Sequence, residues 1–242
     1  MSRIYLVRHG QAGTRKAYDS LSDLGHRQAR LLGEHFVAEG IRFDAAYRGA
    51  MARQARTANE VTAAYAEAGI PFPEVTLEPG WNEFDLDHIY RELAPVMCAE
   101  DAEFKREYEE MVAQARAAEN SPEAPVHRRW MPCDTKMVQA WLFEKFPYKG
   151  ESWQAFRERV AARRHSIGPI RPDANIVVFT SATPIGVWTA LTMDIHDQRA
   201  MKLAGVIQNT AYTVIRLHAS ELRLLTFNAT PHLPSAELRT HR

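Results

Sequence analysis

The stretch IYLVRHGQAG, residues 4–13, sets an arginine, a histidine and a glycine directly behind four apolar, β-prone residues. A strand ending this way holds two polar side chains, Arg8 and His9, at its carboxyl end, where open α/β sheets bind their ligands. Gly10 then lets the backbone turn closely around whatever is bound. Arginine offers a planar fork of donors suited to phosphate. A neutral histidine can attack phosphorus and hold the phosphoryl group covalently. The alternative is a structural histidine filling the fold.

Outward from this stretch, the chain alternates short apolar runs with helical patterns. Strands are expected at Ile4–Val7, Phe43–Tyr47, Ile176–Thr180, Tyr212–Leu217 and Leu222–Phe227. LSDLGHRQARLLGEHFVAEG (21–40) reads as a helix capped by Ser22 and ended by Gly40, and MARQARTANEVTAAYAEAG (51–69) and SWQAFRERVAARRHSI (152–167) read as two more. The expected fold is α/β: a three-layer α/β/α sandwich with a mostly parallel sheet. HASE (218–221) reads as a hairpin loop that makes one edge strand antiparallel. Residues 84–148 break the alternation. CAEDAEFKREYEEMVAQARAAEN (98–120) reads as one charged amphipathic helix, SPEAPVHRRWMPCD (121–134) as an irregular stretch, and TKMVQAWLFEKF (135–146) as a further helix. This stretch is a helical insertion in a single domain covering 1–242, either a solvated elaboration or a lid.

Composition narrows the partners. Thirty basic residues balance thirty acidic ones in 242, so no global field favours nucleic acid or an anionic membrane. Two cysteines, Cys98 and Cys133, lack metal-ligand spacing and suit a reducing compartment. The N-terminal apolar run is too short for a signal peptide, and no run approaches a membrane span. The expectation is a soluble, cytoplasmic protein acting on a small molecule; a homodimer stays open.

The ordered motifs resemble the histidine phosphatase superfamily, the phosphoglycerate-mutase-like fold. LVRHG is similar to its signature, LSDLGHRQARLLG to its helix opening, and YRGAMARQARTA (47–58) to the block in which an arginine precedes Thr-Ala by four residues. GESWQAFRERV (150–160) resembles its late helix and LLTFNATPHL (224–233) its closing strand. The resemblance implies a phosphomonoesterase with no cofactor and no metal, in which His9 becomes phosphohistidine and Arg8 and Arg53 grip the phosphoryl oxygens. Arg56 lacks the matching spacing. The family's mutase form, RHGES.WN, is not matched, which favours a phosphatase.

The family also carries a glutamate after a short strand, to protonate the leaving alcohol. VTLEPGWNEFDLDH (75–88) offers Glu78 and Glu83. Glu83 is preferred, because NEFD resembles the family's Asn-Glu and Arg-Glu-x-Asp forms; Asp85 and Asp87 read as loop residues. One position departs from the pattern. NIVVFTSATPIGV (175–187) sets Ser181 where the family has a second phosphate-contacting histidine. Losing a charge-assisted contact costs about 1.5–3 kcal/mol, roughly ten- to a hundredfold in rate. Ser181 therefore supports an alternative: a phosphatase-fold protein of weak or no turnover that binds a phosphorylated ligand or a protein partner. His26, His35, His88 and His127 read as surface or core residues. Trp130, beside His127, Arg128 and Arg129, reads as part of a solvated loop, with a pocket wall as the alternative.

Overall fold

The computed structural model describes residues 2–167, 173–218 and 221–242. Six strands, β1 (Ser2–Arg8), β2 (Ala45–Arg48), β3 (Val75–Leu77), β4 (Asn175–Thr180), β5 (Tyr212–His218) and β6 (Glu221–Ala229), form one sheet in the order β3-β2-β4-β1-β5-β6. The ladders β3–β2, β2–β4 and β4–β1 are parallel; β5 runs against both β1 and the edge strand β6. Two helices, α1 (Asp23–Ala38) and α2 (Ala52–Glu67), link β1 to β2 and β2 to β3. Between β3 and β4 lie α3 (Leu86–Glu100), α4 (Ala102–Ala117), α5 (Pro125–Arg128), α6 (Pro132–Leu142), α7 (Trp153–Ala161) and α8 (Arg163–Ser166). After β4 come α9 (Ala182–Met193) and α10 (Asp197–Val206).

Strand β1 explains the layering. Successive side chains point to opposite faces of a strand. Tyr5 and Val7 join a cluster with Leu32 and Phe36 of α1 and Val61 and Tyr65 of α2. Ile4 and Leu6 join the other, with Trp153 and Phe156 of α7 and Ile185 and Trp188 of α9. Both faces are covered, which is why the strand is apolar without a break. The three-layer α/β/α sandwich is as expected.

Several details differ from the sequence reading. The β2 ladder begins at Ala45; Phe43 packs edge-on against Tyr5, 5.3 Å between ring centroids. Val75–Leu77 adds a sixth strand. The charged run 98–120 is broken at Asp101, which ends α3 and whose side chain accepts from the backbone N–H groups of Glu103 and Phe104, both at 2.9 Å, to start α4. Helix α9 carries no polar stripe, because Thr183–Ala190 is buried throughout, and so lacks the periodicity that marks a surface helix. The β5–β6 turn, residues 219–220, lies outside the described residues. Among the described residues, no helix is long and apolar enough to cross a membrane.

Candidate active site

His9 stands one residue past β1 and is 2% exposed. Its backbone N–H continues the parallel ladder to Thr180 O at 2.9 Å, and its carbonyl accepts from Asn209 Nδ2 at 3.2 Å. Gly10 donates its N–H to Thr57 Oγ1 at 3.0 Å, and a Cβ here would lie 2.4 Å from Gly25 O. Only glycine fits between this turn and α1. The imidazole is oriented from both sides. Nδ1 lies 2.8 Å from Gly10 O, which can only accept, so Nδ1 carries the proton. Arg53 Nε donates to Nε2 at 3.1 Å. Burial, then the charges of Arg53 and Arg8, hold this imidazole well below the usual histidine range. The ring is neutral, with its lone pair on Nε2 turned toward an arginine.

Arg53 sits in the first turn of α2. The side chain of Asp19 reaches that helix end: Oδ1 accepts from the Arg53 backbone N–H at 3.2 Å and from Arg53 Nη1 at 3.1 Å, and Oδ2 accepts from Ala52 N at 3.0 Å. The Tyr18 ring packs against the guanidinium, 4.8 Å from its carbon. Arg56 is exposed on the same helix. Arg8 is buried; Nη1 donates to Ile207 O and Nη2 to His241 O at 2.7 Å, while buried Nε has no hydrogen-bond partner among the described residues. Two guanidinium groups thus stand beside one neutral imidazole.

Of the two candidate acids, Glu83 lines the cleft that holds these residues. Its Oε1 accepts from Phe84 N at 3.2 Å and its Oε2 from Thr183 N, in the first turn of α9, at 3.0 Å. Burial pushes its carboxyl above the ordinary range against those bonds. Glu78 instead accepts from Gly80 N at 3.0 Å and pairs with Arg163 at 2.8 Å. Asp85 caps α3 through His88 N at 2.9 Å. Ser181 follows β4 as His9 follows β1, and the parallel register sets Arg8 beside Thr180. Its hydroxyl, 1% exposed, accepts from Gln54 Nε2 at 2.9 Å. Ala182 and Thr183 line the cleft beside it. Among the described residues, no group of three or more His, Cys, Asp or Glu could hold a metal ion.

The cleft lies between the sheet's carboxyl edge and the insertion, and the two are tied together. Asp134 of α6, fully buried, accepts from Arg15 Nη1 at 3.1 Å and Arg15 Nη2, from Tyr90 Oη at 2.8 Å and from Met131 N at 2.7 Å, and Arg242 Nη1 lies 3.4 Å away. Arg128 Nη1 donates to Ala12 O at 2.7 Å, and Lys16 pairs with Glu119. The segment carrying Tyr18 and Asp19 is thus clamped to the insertion. Burial alone would raise Asp134, but the bond and charge of Arg15, then the charge of Arg242, hold it below the usual carboxylate range. Asp134→Ala is expected to lower stability by about 3–5 kcal/mol, since it takes the carboxylate from buried Arg242 and partly buried Arg15; urea unfolding of the variant and the parent measures this. Trp130, read from sequence as a loop residue, lines the cleft with Arg242 over its ring at 5.5 Å.

Sequence reasoning passed over Asp19, Tyr18, Gln54 and Arg242. An aspartate or tyrosine in a loop carries no periodic signal. Gln54 and Thr57 do carry one, because they lie one and four residues after Arg53 in α2 and all three are buried.

The description "Histidine phosphatase superfamily (branch 1)" matches this chain over residues 4–140 and 128–230. A 107-residue stretch is 30% identical to the serine/threonine-protein phosphatase Pgam5, mitochondrial, of Caenorhabditis briggsae, covering 40% of this chain and 38% of that protein. The Caenorhabditis elegans counterpart is 26% identical over 161 residues, 62% of this chain and 52% of that one. The chain spans about half, or less, of the length of these relatives. Among solved structures, Bacillus stearothermophilus YhfR superposes with a TM-score of 0.65 at 16% identity, over 96% of this chain and 99% of that one. The mycobacterial glucosyl-3-phosphoglycerate phosphatase does so at 0.57 and 18%, over 94% and 99%. At such identities the likeness is one of fold.

Proposed function

The chain belongs to branch 1 of the histidine phosphatase superfamily, and on that premise we propose a metal-independent phosphatase that hydrolyses a phosphomonoester through a phosphohistidine on His9. The observation that carries this reading is the state of His9: neutral, protonated on Nδ1, with the Nε2 lone pair beside Arg53. In the first step Nε2 attacks phosphorus and the bond to the leaving oxygen breaks. Arg53 Nε turns from Nε2 to a phosphoryl oxygen, and Arg8 neutralises charge on the others. Glu83, protonated, gives its proton to the leaving alcohol. In the second step a water attacks phosphorus, Glu83 takes its proton, the P–N bond breaks and phosphate leaves. One carboxyl serves both steps: burial favours its protonated form for the first, and having given up that proton it is ionised to take one from the water in the second.

Ser181 favours a second reading: binding with slow turnover. Its hydroxyl is engaged by Gln54 and it brings no charge to the phosphoryl group, leaving Arg8 and Arg53 to carry that role. A phosphomonoester panel separates the two readings. Turnover is expected to survive EDTA and to be blocked by vanadate, a mimic of the trigonal-bipyramidal phosphoryl group. An enzyme silenced by EDTA and restored by Mg²⁺ would overturn the metal-independent mechanism; a protein that binds phosphate but turns over nothing on the panel would favour the binder.

A further inference from the structure

The cleft above His9 is far larger than a phosphate requires. Its volume is about 1690 Å³, whereas pockets that take a whole drug-sized ligand span roughly 300–1000 Å³. The phosphoryl end, with Arg8, His9 and Arg53, is small and buried. Beyond it the insertion supplies a wall of Leu86 from α3, Tyr108, Met111 and Val112 from α4, and Val138 and Leu142 from α6. These side chains pack against the core on one side and border the cleft on the other.

Polar groups along the cleft are distributed unevenly. Arg15 and Arg242 are tied to Asp134. Lys16, Asp85, Asp87, Arg116, Glu119 and Lys202 are exposed and stand at the rim. The apolar wall on three helices lines the same cleft as the phosphoryl end. Apolar surface left open in a monomer marks a binding site, and this one adjoins the groups that would hold a phosphate.

We propose that the substrate is an amphiphile: the phosphomonoester of an alcohol with a long alkyl or isoprenoid chain, whose tail lies along α3, α4 and α6 while its phosphate reaches His9. This rests on the reading of His9 as phosphoryl acceptor and adds the class of leaving group. A phosphopeptide fits the wall poorly. Every peptide unit brings an N–H and a C=O that need partners once water is displaced; apart from the charged rim, α3, α4 and α6 offer only Tyr90, Tyr108, Thr135 and Gln139 along the cleft, and the Tyr90 hydroxyl is already given to Asp134. The hydroxyls of a sugar phosphate meet the same obstacle. A hydrocarbon chain needs no such partners and gains from each methylene it buries.

A series of alkyl phosphates from ethyl to octyl, held below their aggregation concentrations, tests the tail. The ratio of kcat/KM for octyl over ethyl phosphate is expected to be about fifty, half of the effect in free energy that full burial of six methylenes would give. Leu142→Asp and Val112→Asp are expected to bring that ratio toward one. Calorimetry with the matching alkyl phosphonates, which cannot be hydrolysed, reads the same dependence in Kd on the unaltered protein. A flat phosphonate series overturns the proposal, as does a phosphoserine peptide or hexose phosphate turned over faster than octyl phosphate. Absence of turnover on every ester, with chain-length dependence kept in the phosphonates, would overturn the catalytic reading and leave the amphiphile site standing.

Discussion

His9→Ala is expected to abolish phosphate release, with a loss of about 10⁴-fold or more, as when an enzyme loses the nucleophile of a covalent mechanism. The fold should survive, because among the described residues the ring makes its side-chain bonds only to Gly10 O and Arg53, while the backbone bonds to Thr180 and Asn209 need no imidazole. Rapid quenching of the parent with a ³²P-labelled substrate should trap a phosphoprotein that is acid-labile and base-stable, and the variant should show none. Full turnover by His9→Ala, or label retained on it, would overturn the phosphohistidine mechanism. Because burial and two arginines depress the pKa of His9, the nucleophile stays neutral well into mildly acidic solution. Protonation of His9 is thus not expected to limit the reaction as pH falls through the ordinary histidine range.

Glu83→Gln is expected to slow alkyl phosphate hydrolysis by about 10²- to 10⁴-fold, the usual contribution of a positioned general acid. The loss on p-nitrophenyl phosphate should be far smaller, because that leaving group hardly needs a proton. Glutamine keeps one oxygen to accept from Phe84 N or Thr183 N but turns an NH2 toward the other N–H, so it is the contrast between the two substrates that isolates the proton. The pH dependence follows from the same group. A carboxyl raised above its ordinary value is the active acid below its pKa and inactive above it. Alkyl phosphate turnover should therefore fall as pH rises through that raised value, with p-nitrophenyl phosphate much less affected. Equal losses on the two substrates, or a larger loss in Glu78→Gln, would move the assignment.

Much of the sheet was legible because its signals are local. Ile4–Val7 is apolar on both faces, and both faces are covered. Ser22 caps α1 as its position in the sequence suggests, accepting from Gly25 N at 3.0 Å. Arg8, His9, Arg53 and Glu83 converge on one cleft; strand-end position marks the first two, and resemblance to the family's motifs marks Arg53 and Glu83. What stayed hidden depends on pairs distant in the chain. Asp19 reaches Arg53 across 34 positions, Gln54 reaches Ser181 across 127, and Arg15 reaches Asp134 across 119. No window of sequence contains both members of such a pair. The engagement of Ser181 by Gln54 is of this kind: the serine was visible, its partner was not.

The strand order has a consequence for how the chain is made. β1 is synthesised first and lies near the middle of the sheet, yet both strands it pairs with, β4 and β5, lie beyond residue 174. Only β2 and β3 can find each other early. A ribosome adding about 5–20 residues per second exposes Ile4–Val7 for roughly ten seconds or more before its neighbours emerge. During that time α1 and α2 can cover one face, but the backbone edges of β1 stay unpaired and open to another chain. Late pairing across such separations is also slow in refolding. Moving the sheet's C-terminal strands ahead of β1 by circular permutation should shorten that exposure and raise the soluble yield at high expression rates.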